Sequence, residues 1–448
     1  MTLLESADAL RAKKVSSLEL TNATIENIAR ENPRLNAFIT VTADAARARA
    51  SAMDAEMSHG IDRGPLHGIP IAHKDLVYTK GIRTTGGSKI FKDFVPDHDA
   101  DIAVNLDKAG VVLVGKTNLH EFAYGITSNN PHFGAVRNPW DTDRIPGGSS
   151  GGSGAAVAAG ILTMATGTDT GGSIRIPASF CGVTGLKPTF GLISKRGVMP
   201  LGWTMDHMGP ITKTVRDAAV SFHAMAGLRT GYVPPNNADI RGLRIGLPVN
   251  YYFDKLDLEV SESVRKAVQT ATALGARIVD IKVPDIDAIN VVARVLLLAE
   301  AVSVHQPHLD RRADIGADVL TLLDQGRLIR ASDYVDAQRL RHIYIREFSK
   351  LWTEVDCIFT PTTPTPAPKI GQATMQVGGV DEDVRLATTR LMRAINVLGI
   401  PALSIPCGFT KAGLPIGLQI LGGPLAEDMI LRVGAAIEDA AAVVGRKP

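Results

Sequence analysis

The sequence predicts an α/β fold in which a large mixed sheet, mostly parallel, is covered by helices on both faces. Short apolar segments rich in β-branched residues alternate along the chain with longer segments of helical periodicity. This alternation is typical of strands buried between two layers of helices. The chain has 448 residues, of which 45% are hydrophobic, and this is enough to form a large core.

Helical periodicity and end signals locate the helices. Ser16 and Glu19 form a capping box. Asp44 and Ser332 suit N-cap positions, and Gly110 is a typical stop signal after a helix. The predicted helices cover residues 16–31, 44–57, 101–109, 214–228, 258–274, 286–302, 332–352, 385–398 and 425–441, and part of the apolar run 155–165.

Strands are predicted where short runs with β-branched residues are bounded by glycine, proline or polar turn residues. They cover residues 36–42, 68–77, 111–114, 243–247, 276–283, 357–360, 402–405 and 416–421, with a short strand after the apolar run 155–165. Residues 177–188 are predicted to be irregular, because glycine and proline interrupt them.

Composition argues against several classes of protein. The net charge is +2 at pH 7, which gives no indication of nucleic-acid or membrane binding. The longest apolar run, residues 155–165, is too short to span a bilayer. The three cysteines, Cys181, Cys357 and Cys407, are scattered and show no C-x-x-C spacing. This pattern argues against a disulfide framework or a zinc site and indicates a cytoplasmic protein.

Two glycine loops with serines form the centre of the sequence. Residues 147–153 read GGSSGGS, and residues 167–175 read GTDTGGSIR. A phosphate-binding loop would need a lysine after the first glycines, and none follows. The first loop also spells G-x-S-x-G, but a nucleophile elbow needs a preceding strand, and the approach 138–146 contains two prolines. The third interpretation joins Ser149 and Ser173 in one nucleophilic site, which needs a base from elsewhere.

Lys74 is the candidate base. It lies in the predicted buried strand, where a lysine is unusual unless it is paired or functional. Burial lowers the pKa of a lysine, so that its neutral amine can accept a proton. A salt bridge to Asp75 is disfavoured, because adjacent strand residues point to opposite faces. Lys116 is a rival base, but its position at a strand end favours a role in fixing a loop.

These residues together resemble the amidase signature family. Lys74 precedes Ser149 by 75 residues, and Ser149 precedes Ser173 by 24 residues, as is usual in that family. Further similar motifs lie at residues 67–75, 115–118, 121–122, 138–140, 182–188 and 413–419. The resemblance covers most of the chain and is strongest from about residue 64 to residue 220.

The resemblance implies the domain organisation and the roles of the site residues. A single domain is expected over residues 1–448, with a catalytic core at about 64–220 and a more variable substrate-pocket region at about 230–395. Ser173 is the expected nucleophile, Ser149 the bridge that relays its proton, and Lys74 the base. The backbone N–H groups expected to form an oxyanion hole are those of Thr170, Gly171, Gly172 and Ser173. The expected supporting residues are Ser150, Asp169 and Arg175.

The family also implies a cis peptide at Gly148–Ser149. The expected activity is hydrolysis of a C–N bond in an amide, anilide or carbamate (urethane), through an acyl-enzyme on Ser173 and without a metal or cofactor. The expected partner is a small-molecule substrate, and a homodimer is a possible assembly. Residues 199–208, 291–308 and 362–392 are expected to line the pocket, and their apolar content favours an uncharged acyl group.

Other functions remain open at this stage. Residues 115–118 and 138–140 also resemble the A subunit of glutamyl-tRNA amidotransferase, a glutaminase that needs partner chains, whereas residues 206–210 look more like free-standing amidases. An esterase could combine Ser149 with Asp206 and His207, although adjacent Asp and His form a poor triad. A non-catalytic scaffold is disfavoured by the intact serines and lysine.

A metal site is a weak alternative. His305, His308 and Asp310 form an H-x-x-H-x-D pattern that could bind a metal ion, although packing or surface roles are commoner for such residues.

Overall fold

The structure is a computed structural model that describes residues 1–228 and 231–441, together with residues 443, 446 and 448. Within this part of the chain, eleven strands form one mixed sheet surrounded by helices, which confirms the predicted fold class. Residues 229 and 230, where the expected substrate-pocket region begins, lie outside the described residues.

The described residues contain fourteen α-helices. They are α1 (Leu3–Arg11), α2 (Ser17–Leu35), α3 (Ala43–Ser58), α4 (Asp101–Lys108), α5 (Gly151–Ala158), α6 (Arg175–Cys181), α7 (Val215–Met225), α8 (Leu258–Ala273), α9 (Ile286–His305), α10 (Ala317–Gly326), α11 (Ala331–Ser349), α12 (Val384–Thr389), α13 (Arg393–Leu398) and α14 (Glu427–Ala441). Four 3₁₀ helices lie at Lys89–Phe91, Glu121–Ala123, Gln306–Asp314 and Lys350–Thr353. No helix among these described residues has the length and apolar character needed to cross a membrane.

Fifteen strands occur in the same part of the chain. They are β1 (Phe38–Val41), β2 (Pro70–Lys74), β3 (Val112–Thr117), β4 (Asn129–Asn130), β5 (Gly134–Ala135), β6 (Met164–Asp169), β7 (Thr184–Lys187), β8 (His207–Thr212), β9 (Arg244–Pro248), β10 (Arg277–Ile281), β11 (Cys357–Pro361), β12 (Thr374–Val377), β13 (Val380–Asp383), β14 (Ala402–Phe409) and β15 (Pro415–Gly422). Two small hairpins, β4-β5 and β12-β13, lie outside the main sheet.

The main sheet has the strand order β1-β3-β2-β6-β8-β7-β14-β15-β11-β9-β10. β2 is parallel to β3 and β6, and β9 is parallel to β10 and β11. The parallel pairing that the sequence predicts is therefore found in two groups of strands, one around β2 and one around β9. The strands that lie between these two groups are joined by antiparallel pairs. Because β2 and β6 run in the same direction, their carboxyl ends meet at one edge of the sheet.

The helix end signals are confirmed in part. Ser16 caps α2 with Glu19 as a capping box, and Gly110, with φ of 84°, follows α4. The N-cap of α3 is Thr42, so Asp44 lies inside the helix, where its carboxylate faces the positive end of the helix dipole. The N-cap of α11 is Arg330, and the expectation for Ser332 was wrong by two residues.

The prediction of irregular structure at residues 177–188 was wrong, because α6 and β7 occupy most of this segment. Pro177 is the third residue of α6, and proline is tolerated in the first turn, where its missing N–H would have no partner within the helix. Gly182 then ends the helix in the left-handed conformation. Residues 385–398 likewise form two short helices, α12 and α13, instead of one.

Helix α5 approaches the backbone of its neighbours closely. A Cβ added at Gly152 would lie 2.4 Å from the carbonyl oxygen of Asn118 and 2.5 Å from that of Ala37. Neither carbonyl can move away easily, since each belongs to the backbone beside a strand. The glycines of the first loop therefore allow α5 to begin directly against the sheet edge, and this position fixes the loop that carries Ser149.

Replacing Gly152 with alanine should destabilise the protein by about 1–3 kcal/mol, because overpacking forces the backbone apart. Thermal or denaturant unfolding would measure the change. Gly423→Ala is the matched control, since the nearest heavy atom to its added Cβ would be 3.4 Å away, an ordinary contact with Trp352. Equal effects of the two substitutions would contradict the tight packing of α5.

Candidate active site

Lys74 is the last residue of β2 and is completely buried. Its Nζ lies 2.7 Å from Ser149 Oγ and 2.7 Å from Thr168 Oγ1, so its nearest polar neighbours are hydroxyls. The adjacent Asp75 is turned away and accepts hydrogen bonds from the backbone N–H and the hydroxyl of Thr85. The expectation that Lys74 and Asp75 do not pair is therefore confirmed.

The surroundings of Lys74 lower its pKa from 10.5 to about 7. Burial is the largest cause, because the charged amine loses its hydration. The negative charges of Asp169 and Asp206 act in the opposite direction and raise the pKa. Near neutral pH, a large fraction of the Lys74 amine is therefore uncharged and able to accept a proton.

Thr168 is a neighbour of Lys74 that the sequence analysis did not single out. Thr166 and Thr168 are two residues apart on β6, so their side chains lie on the same face of the sheet. Thr166 Oγ1 accepts from the backbone N–H of Lys74 at 3.0 Å, and Thr168 Oγ1 accepts from its amine. The alternation of threonines in the sequence before Thr170 was the signal that could have revealed this contact.

Ser149 follows a cis peptide bond with Gly148, as the family resemblance implies. Its carbonyl oxygen accepts from the N–H of His120 at 3.1 Å and from the hydroxyl of Ser128 at 3.3 Å. These contacts hold the backbone of the first glycine loop while the side chain of Ser149 faces Lys74.

Ser173 lies between β6 and α6 and keeps 6% of its surface exposed, whereas Ser149 is completely buried. The N–H of Ser150 donates to the carbonyl oxygen of Ser173 at 3.4 Å, so the two loops meet through their backbones. The hydroxyl of Ser150 donates to the carbonyl oxygen of Thr168 at 3.3 Å. Among the hydrogen bonds of the described residues, one joins Ser149 to Lys74, but none joins the hydroxyls of Ser149 and Ser173.

The loop that ends at Ser173 presents several backbone N–H groups. Gly172 has φ of 120°, a conformation that favours glycine, and its N–H donates to Asp169 Oδ1 at 2.7 Å. This contact engages one of the four groups predicted for an oxyanion hole. Within the described residues, the N–H groups of Thr170, Gly171 and Ser173 make no hydrogen bond, so they are free to meet a ligand oxygen.

Asp169 and Arg175 form a buried ion pair beneath this loop. Arg175 Nε donates to Asp169 Oδ2 and Nη2 donates to Oδ1, both at 2.9 Å, and neither side chain is exposed. Burial alone would raise the pKa of Asp169, but the charge and hydrogen bonds of Arg175 outweigh it and hold this pKa well below its usual range. The expectation that the two residues brace the loop agrees with this geometry.

The same ion pair is tied to the C-terminal part of the chain. Arg175 Nη1 donates to Gln419 Oε1 at 2.6 Å, and Nη2 donates to Asn396 Oδ1 at 2.7 Å. Asn396 Nδ2 in turn donates to the backbone and carboxylate oxygens of Asp169, at 2.8 and 2.9 Å. Gln419 lies in one of the recognised motifs, but Asn396 carried no sequence signal because 227 residues separate it from Asp169.

Lys116, the rival base, is occupied elsewhere. Its amine donates to the carbonyl oxygen of Val77 and to the hydroxyls of Thr79 and Thr84, the latter two at 2.9 and 3.0 Å. These contacts hold the segment after β2, and the expected role of Lys116 in fixing a loop is confirmed.

The structure does not assemble the alternative triad of Ser149, Asp206 and His207. His207 Nδ1 lies 2.6 Å from the carbonyl oxygen of Met205, and the carboxylate of Asp206 accepts from the hydroxyl of Thr170 at 2.6 Å. Within the described residues, no hydrogen bond joins these three side chains to one another.

The H-x-x-H-x-D residues do not converge on a metal site. His305 packs against Phe122, with ring centroids 4.1 Å apart, and lies 6.3 Å from the ring of His308. In the part of the chain that the structure describes, no group of three or more His, Cys, Asp or Glu residues is arranged to hold a metal ion.

A small cleft opens beside the second glycine loop, next to Thr168, which contacts Lys74. Its lining includes Thr168, Thr170, Lys195, Met199, Trp203 and Asp206. Part of the segment 199–208, which is expected to line the substrate pocket, thus lines this cleft.

Comparison with known proteins identifies the family. The Amidase family model matches residues 19–431. The A subunit of glutamyl-tRNA(Gln) amidotransferase from Geobacter metallireducens is 39% identical over 479 residues, which cover 99% of this chain and 97% of that protein. The chain belongs to the amidase (amidase signature) family.

Two solved structures show the same fold. One comes from a study of a vestigial protein complex and the evolutionary origins of an s-triazine catabolic enzyme; it is 35% identical, has a TM-score of 0.92, and covers 98% of both chains. The other is a bacterial aryl acylamidase of the amidase signature family, which is 27% identical with a TM-score of 0.90 and covers 100% of this chain and 99% of its own.

Replacing Arg175 with leucine should destabilise the protein by about 3–5 kcal/mol, because it leaves the buried carboxylate of Asp169 without its partner. Denaturant unfolding at pH 7 measures this loss. Folding lowers the pKa of Asp169, so the ionised carboxylate stabilises the protein at pH values above its pKa in the unfolded state. This stabilisation is lost as the pH falls towards the pKa in the folded state. The difference in the free energy of unfolding between the wild-type protein and Arg175→Leu should therefore be smaller at acidic pH.

Arg241→Leu is the control for this prediction, since its ion pair with Asp239 is exposed. It should leave the unfolding midpoint nearly unchanged. A similar loss in both variants would contradict the assigned role of the buried pair.

Proposed function

We propose that the protein is a serine hydrolase that cleaves a C–N bond in a non-peptide amide, anilide or carbamate through an acyl-enzyme on Ser173. The observation that carries the proposal is the 2.7 Å contact between the buried amine of Lys74 and the hydroxyl of Ser149. A serine hydroxyl needs a base to become a nucleophile, and an uncharged lysine is such a base. Membership of the amidase family supports the reaction class.

In the proposed acylation, Ser173 Oγ attacks the carbonyl carbon of the substrate. Its proton passes to Ser149 Oγ, while the hydroxyl proton of Ser149 passes to Lys74 Nζ. The backbone N–H groups of Thr170, Gly171 and Ser173 donate to the developing oxyanion. The intermediate collapses as the C–N bond breaks, and Lys74 returns the proton to the leaving nitrogen through Ser149. A water molecule then repeats the sequence and releases the acid.

The remaining predicted site residues have positioning roles in this proposal. Asp169 orients the second glycine loop through the N–H groups of Gly172 and Ile174, at 2.7 and 3.2 Å, and Arg175 keeps Asp169 ionised. Ser150 joins the two loops through its backbone N–H. We also propose one domain with its catalytic core at about 64–220, a cytoplasmic location, which the three unpaired thiols support, and a small-molecule substrate.

A second candidate function is the glutaminase A subunit of a tRNA-dependent amidotransferase. The observation that favours it is the high similarity to proteins of that name, at 39% identity over nearly the whole chain. Such a protein would use the same serines and lysine, but it would need partner chains. The similarity to an aryl acylamidase structure favours a free-standing enzyme. The two functions differ in substrate and in dependence on partners.

The rate of hydrolysis should rise with pH and reach half of its maximum near pH 7. The reason is that Lys74 must lose its proton before it can act as the base, and its pKa is lowered to about 7. Measurement of kcat/KM from pH 5.5 to 9 tests this, with the Lys74→Met variant as a control that should lack the ionisation. A profile that is flat or falls over this range would contradict the role of Lys74.

The purified chain should release amine from an aryl anilide or an aryl carbamate, and the Ser173→Ala variant should lose this activity by at least about 100-fold, because the nucleophile is absent. Glutamine and a short aliphatic amide complete the panel. Hydrolysis of glutamine alone, or only after partner chains are added, would instead favour the amidotransferase function. Full activity of Ser173→Ala would show that the proposed nucleophile is wrong.

A further inference from the structure

Arg393 lies directly against the second glycine loop. A Cβ added at Gly171 would be 3.2 Å from Arg393 Cγ and 3.7 Å from its Nε. The side chain of Arg393 therefore contacts the loop that carries Ser173 at Gly171, whose N–H makes no hydrogen bond within the described residues. Arg393 is the first residue of α13, whose Asn396 holds Asp169, so its position is tied to that of the loop.

No acidic side chain neutralises Arg393 within the described residues. Its guanidinium makes no hydrogen bond or ion pair there. A carboxylate that acts on its pKa is that of Asp383, which accepts hydrogen bonds from the backbone N–H groups of Arg385 and Leu386, each at 2.9 Å. A partly buried cation that has no partner and lies beside the second glycine loop is a typical binding site for an anionic ligand.

Arg393 also lines an open cleft together with Arg294 and Arg390. Within the described residues, the hydrogen bonds of these two side chains go to neutral groups: Arg294 donates to Gln325 Oε1 at 3.2 Å, and Arg390 donates to the carbonyl oxygen of Tyr251 at 3.1 Å. The cleft wall thus carries three guanidinium groups, of which that of Arg393 lies against the second glycine loop.

The acidic residues of the same cleft are held by other groups. Glu382 pairs with Lys255 at 3.3 Å, and Asp254 accepts from the backbone N–H of Tyr251 at 2.9 Å. Asp287 lies beside Tyr251, where it raises the pKa of that phenol. The guanidinium of Arg393 is therefore left to attract an anion from outside the protein.

The two clefts have no lining residue in common. Thr168, which contacts Lys74, lines the smaller cleft, and the leaving nitrogen must receive its proton from the Lys74 and Ser149 relay. Because the carbonyl oxygen of the acyl group meets the free N–H groups of the second glycine loop, that of Gly171 among them, a carboxylate on the acyl part comes close to Arg393, which contacts Gly171.

We propose that Arg393 binds a carboxylate on the acyl part of the substrate, so that the preferred substrates are monoamides of short dicarboxylic acids. This inference rests on the proposed function and narrows its substrate class. It replaces the sequence-based expectation of an uncharged acyl group, because the apolar residues 199–208 line the other cleft and not the one that Arg393 lines. Burial and repulsion from Arg385 and Arg294 lower the pKa of Arg393 to about 10, and a bound carboxylate would relieve both effects.

Succinamate and butyramide test the inference, since they have the same chain length and differ in the carboxylate. The wild-type protein should hydrolyse succinamate with a kcat/KM about tenfold or more above that for butyramide. Arg393→Gln should lower kcat/KM for succinamate about tenfold or more and change that for butyramide by less than about twofold. Arg393→Lys should restore part of the preference, and Arg346→Gln, at an exposed position on α11, is the matched control.

Titration calorimetry with sodium succinate gives a readout that does not depend on turnover. Succinate should bind the wild-type protein and bind Arg393→Gln about tenfold or more weakly. An equal loss of kcat/KM for both amides in Arg393→Gln would overturn the inference. So would the absence of both a preference for succinamate and succinate binding.

Succinate binding that depends on Arg393 without hydrolysis of either amide would support the anion subsite and count against the proposed hydrolase. Hydrolysis of butyramide that depends on Ser173, without succinate binding, would support the hydrolase and refute the subsite.

Discussion

The burial of the Lys74 amine is the constraint on which the arrangement of the site depends. A buried lysine that pairs with a carboxylate stays charged and cannot serve as a base, whereas one without polar contacts is too costly to bury. Lys74 meets hydroxyls on Ser149 and Thr168 at 2.7 Å, while the acids Asp169 and Asp206 act on it only from a distance. This combination lowers its pKa to about 7 and keeps the amine hydrogen-bonded.

Such a contact requires two loops and two strands to meet at one edge of the sheet. β2 brings Lys74 and β6 brings Thr168 to this edge because the two strands are parallel and adjacent. The glycines of the first loop let α5 begin close to the sheet, and the buried ion pair of Asp169 with Arg175 holds the second loop. Asn396 and Gln419 extend this hold to the last third of the chain, which helps to fix the position of the loop.

Much of this site could be predicted from the sequence, because its residues are carried by long, ordered motifs. Lys74 was indicated by its place in an apolar strand, and Ser149 and Ser173 by the two glycine loops. Asn396 and Arg393 could not be predicted in the same way, since their contacts depend on tertiary packing across more than 200 residues. The error at residues 177–188 had a local cause: Pro177 and Gly182 were read as breaks in structure, but their positions suit the beginning and the end of a helix.

The most direct test of the central claim is to label the protein with a fluorophosphonate, which forms a covalent bond with an activated serine, and to find the labelled residue by peptide mass spectrometry. The label should lie on Ser173, and its rate of attachment should fall about 100-fold or more in the Lys74→Met variant, since general-base catalysis contributes a factor of this size. A label on Ser149, or an unchanged rate in Lys74→Met, would contradict the claim that Lys74 activates Ser173 through Ser149.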